Sequence, residues 1–268
     1  MLSPCLDRSG PPPGFQRTLL EPPRLSNGTQ LIEQSNECQG RGAIHALFPC
    51  PGSGIWRISV HMVTWPTYDI ETSIYGLVAG VDEVGRGPLA GPVMAAAVIL
   101  NPDDIPDGLN DSKRLSAKAR NALAAEIEKR AWVGVGEASV DEIDVLNILR
   151  ASHVAMCRAL ENLPVQPNHV LIDGNLIPAD LSLPATALVK GDTRSLSISA
   201  ASIVAKTRRD ALMVDLAQQH PGYGWETNMG YPSKSHKAAL QDLGVTPHHR
   251  RSFKPVHNIL YQEKLLSD

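Results

Sequence analysis

The spacing of apolar residues changes along this chain at about residue 75. From there on, short apolar runs alternate with longer segments in which apolar residues recur every three or four positions. This alternation is typical of an α/β domain, in which helices connect the strands of one sheet. Five runs have the composition and length of strands, namely those in YGLVAGVD, VMAAAVIL, WVGVGEAS, HVLIDG and ATALVKGD.

Helices are predicted between and after these strands. The first runs from Ser116, which suits an N-cap, to about Arg130. The segment VDEIDVLNILRASHVAMCRALENL predicts the longest helix, and a third helix begins near Ser195. Beyond Gly222 the chain is expected to be helical with loops, as in SKSHKAALQDLG, where the final glycine suits a helix end.

The N-terminal part of the chain has a different composition. Its first 60 residues contain eight Pro and seven Gly and show neither a helical nor a strand-like period. We therefore expect residues 1–67 to form a disordered, low-complexity extension. Residues 68–268 are expected to form the folded domain, with a core at about 75–220 and a helical portion at about 222–268.

Composition and the cysteine pattern exclude several classes of protein. The 268-residue chain is 43% hydrophobic, which is ample for a buried core. It has no apolar run close to the about 20 residues that span a bilayer, and its N-terminus lacks a basic start followed by an apolar stretch. The four cysteines form no CxxC pair, which argues against a disulfide framework or a thiolate zinc site. We therefore expect a cytoplasmic protein with no membrane association.

The net charge of −3 hides a basic segment near the C-terminus. Between Gly230 and Asn258 there are five Lys and Arg against one Asp, a difference of 5 − 1 = +4. This segment could complement an acidic site elsewhere or form a solvated surface, and the sequence leaves both open. Within it, HHRRSF carries two adjacent histidines that point in different directions with no cysteine nearby. We expect basic surface there rather than a zinc site.

Acidic residues come at the ends of three predicted strands. Asp82 and Glu83 end the first, Asp173 follows the apolar run of LIDGN, and Asp192 ends VKGD. The functional crevice of an α/β sheet lies at the carboxyl ends of parallel strands, where such acids can converge. Clustered carboxylates repel one another unless cations lie between them, and oxygen ligands suit Mg²⁺ or Mn²⁺. One such Asp is commonly a turn residue or a helix cap, but four together indicate a metal site.

Directly after the first acids, Gly85-Arg86-Gly87 allows the backbone to approach a bound chain closely. Exposed backbone groups there can meet a sugar hydroxyl, and the 2′-OH is the group that distinguishes RNA from DNA. The letters GRGPLA also fit a dinucleotide-binding fingerprint, so an NAD-linked oxidoreductase is a competing class. Against that class, two prolines interrupt where a helix should begin, a strand-like run follows, and the adjacent acids would repel a pyrophosphate.

Four further residues are candidates for contacts with a nucleic acid. Lys113 in NDSKRL, and Lys206 and Arg209 on the helix after Ser195, could bind phosphate, although a solvated charged face is the commoner role of Lys and Arg. Tyr231 in NMGYPSKSH could stack on a base or a sugar, or it could be a core or rim tyrosine. These residues would extend the candidate site from a metal centre into a substrate groove.

Eight sequence segments occur in a fixed order along the chain: AGVDEVGRGPLAGPV, GLNDSKRLS, DEIDVLNIL, VLIDGN, VKGD, SISAASIVAKTRRD, GYPSKSH and HHRRSFKPV. This ordered set closely resembles the bacterial type 2 ribonuclease H family, ribonuclease HII. The resemblance covers roughly residues 77–256, and nothing before about Tyr68 takes part. It implies a ribonuclease H-like α/β fold: a central mixed five-stranded sheet flanked by helices, with a helical C-terminal portion beside the substrate groove.

The resemblance also implies an activity and a set of site residues. Members of the family cut the RNA strand of RNA–DNA hybrids and incise duplex DNA at single embedded ribonucleotides, which would place the protein in ribonucleotide excision repair and DNA replication. Carried over by motif, the catalytic metal ligands are Asp82, Glu83, Asp173 and Asp192. They would hold two divalent cations, Mg²⁺ or Mn²⁺. Gly85, Arg86 and Gly87 would read the 2′-OH, with Tyr231 helping to recognise the RNA-to-DNA junction.

The implied reaction is a two-metal-ion hydrolysis on the 5′ side of the ribonucleotide, leaving a 5′-phosphate and a 3′-hydroxyl. We expect a monomer whose partners are the RNA–DNA hybrid and ribonucleotide-containing duplex DNA. A non-enzymatic nucleic-acid-binding protein would have no reason to set four acids against a phosphate backbone. Resolvases and transposases of the same fold share the carboxylates but would lack the Gly-Arg-Gly and tyrosine pair. The physiological metal and the preference between the two substrates stay open.

Overall fold

The computed structural model describes residues 65–266, with side chains as far as Tyr261. The extension predicted for residues 1–67 therefore lies outside the described residues, apart from its last three. Of these, Thr67 forms a parallel bridge to Ser195, so the folded domain includes a residue that the sequence assigned to the extension. None of the helices in the described part is both long enough and apolar enough to span a bilayer.

The described strands form one mixed sheet. Their bounds are β1 Val78–Val84, β2 Val93–Ile99, β3 Trp132–Ala138, β4 His169–Asp173 and β5 Ala185–Leu188. They are arranged in the order β3-β2-β1-β4-β5. The pairs β1–β2 and β2–β3 are antiparallel, whereas β1–β4 and β4–β5 are parallel. The prediction of a mixed five-stranded sheet is confirmed.

Helices precede, connect and follow these strands. Their bounds are α1 Asp69–Thr72, α2 Ala117–Arg130, α3 Val140–Leu146, α4 Ile148–Glu161, α5 Leu196–Gln219, α6 Trp225–Asn228, α7 Lys234–Leu243 and α8 Lys254–Leu266. The predicted N-cap Ser116 is confirmed, because its hydroxyl accepts the backbone N–H of Ala119. The helix predicted to begin near Ser195 does so, with the Ser195 hydroxyl accepting the N–H of Ile198. A 3₁₀ turn, Gly191–Thr193, connects β5 to α5.

The predicted longest helix is in fact two helices, α3 and α4. Asn147 separates them with a φ of 69°, a left-handed value that asparagine tolerates better than most residues. Its backbone N–H donates to Ile143 at the end of α3, while its side chain accepts the N–H groups of Leu149 and Arg150 at the start of α4. The prediction was wrong because the apolar spacing continues across a residue that caps both helices. Among the described residues the longest helix is α5, with 24 residues.

Helices α4 and α5 cover opposite faces of the sheet, and glycines let both approach closely. A Cβ on Gly80 of β1 would lie 2.2 Å from the backbone carbon of Ser197 in α5. A Cβ on Gly134 of β3 would lie 2.1 Å from the backbone oxygen of Ala159 in α4. These glycines pair with adjacent residues of β2, and adjacent residues of a strand face opposite sides. The sheet is therefore buried between two helical layers.

The C-terminal portion is helical, as predicted, and packs on the far end of α5. An apolar cluster joins the C-terminal portion to the residues that follow β1. Its buried members are Leu89, Ala90, Met213, Ala217, Tyr223, Trp225, Leu240 and Val256. Antiparallel backbone bonds add to this contact, since Ala90 bridges to His249 and the N–H of Leu89 donates to Gly230. The turn after β1 is therefore held by the last third of the chain.

Candidate active site

The sheet brings together three of the predicted acids. The parallel register pairs Val81 of β1 with Ile172 of β4, so Asp82 and Asp173, one residue further along, lie side by side. Asp173 ends β4, whereas β1 continues past Asp82 to Val84. Glu83 follows Asp82 and faces the opposite side of the strand. The two parallel strands thus place Asp82 and Asp173 next to each other, with Glu83 directly after Asp82.

The fourth acid, Asp192, does not lie at a strand end as predicted. Strand β5 ends at Leu188, and Asp192 lies in the 3₁₀ turn beyond it rather than at the strand end. The turn is tied to β4, because the backbone N–H of Gly191 donates to Asp173 Oδ1 at 2.7 Å. A Cβ on Gly191 would lie only 2.6 Å from Ile198 Cδ1, so the turn packs tightly against α5. Asp192 is therefore held near the other acids by the turn.

Burial and neighbouring charges raise the pKa values of Asp82, Glu83 and Asp192. Asp82 is 7% exposed, and burial, then the charges of Glu83 and Asp173, raises its pKa well above the ordinary value. Burial also raises the pKa of Glu83 against the opposing effect of Arg86, and burial followed by Asp173 raises that of Asp192. The acids share one electrostatic field, and a bound cation would relieve their repulsion.

The donor set fits a hard divalent cation. All four side chains offer carboxylate oxygens, the ligands that Mg²⁺ and Mn²⁺ prefer. Within residues 65–261, however, no three Asp, Glu, His or Cys side chains already stand close enough together to enclose an ion. Glu83 Oε1 pairs with Arg86 Nη1 at 3.2 Å, and Asp173 Oδ1 holds the Gly191 N–H. Cation binding would compete with these internal contacts.

The Gly-Arg-Gly turn and Tyr231 lie together beside the acids, although they are far apart in sequence. A Cβ on Gly87 would lie 3.5 Å from Tyr231 Cε1, so the ring packs over this glycine. Tyr231 is 41% exposed, and Arg86 and Gly87 are also exposed. Through its pair with Glu83, Arg86 connects this surface to the acids. The structure therefore brings the Gly-Arg-Gly turn and Tyr231 into contact.

The predicted phosphate-binding lysines differ in their surroundings. Burial lowers the pKa of Lys113, but the charges of Asp111, Asp192 and Asp82 outweigh it, so the pKa is raised overall. Lys113 is exposed, and it lies close enough to the acids for their charges to act on it. Lys206 is half-buried instead, and its Nζ donates to Asp210 one helical turn away at 2.7 Å.

Arg209 is the predicted contact that the structure places inside the protein. It is fully buried. Its Nε donates to Pro92 O at 3.0 Å, Nη1 to Met229 O at 3.0 Å and Nη2 to Ala90 O at 3.1 Å. A guanidinium engaged in this way has no surface on which a phosphate could lie. Arg209 therefore does not contact a phosphate as predicted. It instead ties α5 to the turn after β1 and to the segment before Tyr231.

The basic surface predicted for HHRRSF is also wrong for two of its residues. His249 and Arg250 are fully buried. His249 accepts the Thr246 N–H at Nδ1, and its Nε2 lies 3.2 Å from Nε2 of His236, whose Nδ1 lies 2.9 Å from Tyr231 O. Nothing in the local sequence separates these residues from exposed ones, since Arg and His are commonly outside. The side chain of Arg250 is held by residues 159 to 165 positions away, whereas His249 is enclosed by residues of the C-terminal portion.

A buried serine pair supports Asp82 from behind and was not predicted. Ser202 on α5 lies close enough to Asp82 to lower the pKa of that carboxyl, against the larger effect of burial. Ser202 Oγ also lies 2.9 Å from Ser112 Oγ, in the loop that carries Lys113. The run of small residues in SISAASIV is the one sequence signal for this contact, because it lets α5 lie close to β1.

Comparison with known sequences gives the family. A sequence profile described as Ribonuclease HII matches residues 79–256. Ribonuclease HII of Ruegeria pomeroyi is 61% identical over 228 residues, which cover 84% of this chain and 97% of that protein. Ribonuclease HII of Roseobacter denitrificans is 68% identical over 187 residues, which cover 70% of this chain and 94% of that protein.

Solved structures share the fold. The ribonuclease H2 from Pyrococcus horikoshii aligns with a TM-score of 0.58 and 27% identity, covering 70% of this chain and 98% of that one. The RNase HII of a PCNA complex from Archaeoglobus fulgidus aligns with a TM-score of 0.56 and 27% identity, covering 68% and 96%. The ribonuclease H-like fold is confirmed by these alignments and the sheet. The chain belongs to the ribonuclease HII family and is a nuclease that acts on RNA in hybrids.

Proposed function

We propose that this nuclease also incises duplex DNA on the 5′ side of single embedded ribonucleotides, leaving a 5′-phosphate and a 3′-hydroxyl. The observation that carries the proposal is the contact between Gly87 and the Tyr231 ring immediately beside the acids. One exposed surface able to meet a sugar thus adjoins one group of carboxylates able to hold cations.

Asp82, Glu83, Asp173 and Asp192 are the residues that would hold the metal, which we propose to be two Mg²⁺ or Mn²⁺ ions. Divalent cations bound there supply an activated water and neutralise charge on the phosphate and the leaving oxygen. The protein's part is to keep these acids in a buried, cation-attracting arrangement. The backbone N–H groups of Glu83 and Gly191 donate to Asp82 Oδ1 and Asp173 Oδ1 and so help to orient these two carboxylates.

The remaining groups bind and orient the substrate. Lys113 places a positive charge close to the acids, where it can contact a phosphate of the bound strand. Tyr231 offers an exposed ring on which a sugar or base can stack, next to a glycine that leaves room for the close approach. No side chain is required as a covalent nucleophile.

Selectivity for a ribonucleotide would arise at the Gly-Arg-Gly turn. Its backbone groups can hydrogen-bond a 2′-OH, and a strand without that hydroxyl leaves them unpaired. A site that hydrogen-bonds a hydroxyl of its substrate discriminates strongly against an analogue that lacks this hydroxyl. A deoxyribonucleotide would therefore be held poorly for attack even though its phosphate reaches the acids.

Cleavage of matched labelled duplexes tests the proposal. One duplex carries a single ribonucleotide and the other is all DNA, each with Mg²⁺, with Mn²⁺ or with chelator. We expect a metal-dependent nick 5′ to the ribonucleotide and no cutting of the all-DNA duplex. Equal cutting of both duplexes would contradict the role of the Gly-Arg-Gly turn, and cutting in chelator would contradict the metal role of the acids.

A further inference from the structure

An arginine outside the acid group has unusual surroundings. Arg250 is fully buried, yet no carboxylate lies within ion-pair distance of it among the residues with described side chains. Burial, then the neighbouring charge of Arg209, lowers its pKa to about 9. Burying a guanidinium without a counter-charge is costly unless hydrogen bonds compensate. The reason for its presence should therefore be sought in what its donors hold.

All of the side-chain hydrogen bonds of Arg250 go to the turn after β1. Its Nη2 donates to Gly85 O at 2.6 Å and to Gly91 O at 2.8 Å, its Nη1 to Arg86 O at 3.0 Å, and its Nε to Gly91 O at 3.0 Å. The planar guanidinium thus fixes the carbonyls of Gly85 and Arg86 within Gly-Arg-Gly, and that of Gly91 at the end of the turn after β1. Hydrogen bonds from a charged donor are the stronger kind.

Fixing those carbonyls also fixes the N–H groups on the other side of the same peptides. The described chain has no cis peptide bonds, and in a trans peptide the C=O and the following N–H point in opposite directions. With Gly85 O and Arg86 O turned inward to Arg250, the N–H groups of Arg86 and Gly87 point outward together. Neither donates to any group among the described residues. Successive N–H groups on one side form a concave donor site for an oxygen.

The segment that carries Arg250 is itself anchored. Asp144, within the DEIDVLNIL motif of α3, accepts the backbone N–H groups of Arg251 and Ser252, each at 2.9 Å. The N–H of Arg250 donates to Leu89 O at 2.8 Å. Helix α3 therefore holds the HHRRSF segment, and that segment holds the Gly-Arg-Gly turn.

We propose that Arg250 is a positioning residue for ribonucleotide recognition: it orients the N–H groups of Arg86 and Gly87 toward the substrate and so sets how strictly a 2′-OH is required. The proposal rests on the proposed reading of the 2′-OH by this turn. Arg250 itself stays inside and touches no substrate. Without it, the turn keeps its sequence but loses its fixed orientation.

A role in stability alone predicts a different result from a role in positioning. If Arg250 only stabilised the fold, its loss would weaken binding of ribonucleotide and all-DNA duplexes by the same factor. If it positions the readers of the 2′-OH, its loss weakens binding of the ribonucleotide duplex far more. The coupling between the protein substitution and removal of the hydroxyl measures this difference.

The experiment compares Arg250→Met and Arg250→Lys with the wild type and with a matched control, Arg208→Met. Arg208 is exposed on α5 and pairs with Glu128 of α2 at 2.8 Å, away from the turn. Affinities for the two duplexes are measured by fluorescence anisotropy in chelator, and kcat and KM for the ribonucleotide duplex are measured with Mn²⁺. Affinity for Mn²⁺ alone, measured by calorimetry, checks that the acid group is intact.

We expect Arg250→Met to lose most of the preference for the ribonucleotide duplex and about 100-fold in kcat/KM, the scale of a small misplacement of a bound group. Mn²⁺ affinity and the Arg208→Met values should match the wild type. Arg250→Lys keeps the charge but lacks the fork, so it should fold and recover only part of the preference. It serves as the test if Arg250→Met does not fold.

Three results overturn the proposal and are distinguishable. A wild type with no preference between the duplexes would remove the proposed reading of the 2′-OH, and this inference with it. A selective wild type whose preference and kcat/KM survive in the folded Arg250 variants would overturn the inference alone. Equal losses on both duplexes would assign Arg250 a purely structural role.

Discussion

The substitution Gly85→Ala tests whether the turn after β1 is built around a buried arginine. Gly85 has a φ of +92°, and a Cβ there would lie 2.2 Å from Arg209 Nε and 2.7 Å from its Cδ. Arg209 cannot move aside freely, because its guanidinium holds the carbonyls of Pro92, Met229 and Ala90. The substitution therefore combines backbone strain with displacement of a fixed, buried cation.

The expected loss can be worked out from these two contributions. A non-glycine residue at a left-handed φ costs about 1 kcal/mol. Breaking one hydrogen bond from a buried charged donor costs about 2 kcal/mol. Together they predict a loss of about 3 kcal/mol in the free energy of unfolding, and a fall in Tm of about 6–12 °C for a domain of this size. Nuclease activity should fall with it, since the recognition turn moves.

Two glycines provide controls for the separate contributions. Gly108 has a φ of +84° with nothing within 4 Å of its added Cβ, so Gly108→Ala should cost only the strain, about 1 kcal/mol. Gly87→Ala meets only ordinary contacts with Tyr231 and should change Tm little. Urea and thermal unfolding followed by circular dichroism measure all three variants. Equal losses for Gly85→Ala and Gly108→Ala would refute the role assigned to Arg209.

Three further predictions concern the acids, a histidine and the N-terminal extension. Asp82→Asn should abolish cleavage with an unchanged circular dichroism spectrum. Because the pKa of Asp82 is raised in the folded state, its ionisation lowers the stability of the wild type. In chelator, Asp82→Asn should therefore have a higher Tm than the wild type at pH 7 but not at pH 3. Burial and neighbouring histidines lower the pKa of His249 to about 3, so between that value and about pH 6.5 this histidine is protonated in the unfolded chain but not in the folded one. The free energy of unfolding should therefore fall as the pH drops below about 6.5. His249→Gln should reduce this pH dependence in urea titrations. Deleting residues 1–61 should leave specific activity unchanged, and a large loss would give the extension a role.

The local parts of the structure were predictable because they depend on neighbours in sequence. The strand runs, the N-cap Ser116, the helix that begins after Ser195, and Asp173 at the end of a strand follow from side-chain period and hydrogen-bonding chemistry within a few residues. The predictions failed where a local pattern had two outcomes. The apolar spacing across Asn147 suits one long helix as well as two, and the few residues after Leu188 could continue a strand or form the turn that carries Asp192.

The sequence by itself thus determined the α/β class, the order of the strands along the chain and which residues supply carboxylates, because each depends on composition and period. Only the tertiary structure decided that Arg209 and Arg250 lie inside, and that Tyr231 packs on Gly87. Those positions depend on contacts between residues up to 165 positions apart. Whether an arginine is exposed or buried is decided by how many carbonyls the fold offers it, and that number exists only once distant segments have met.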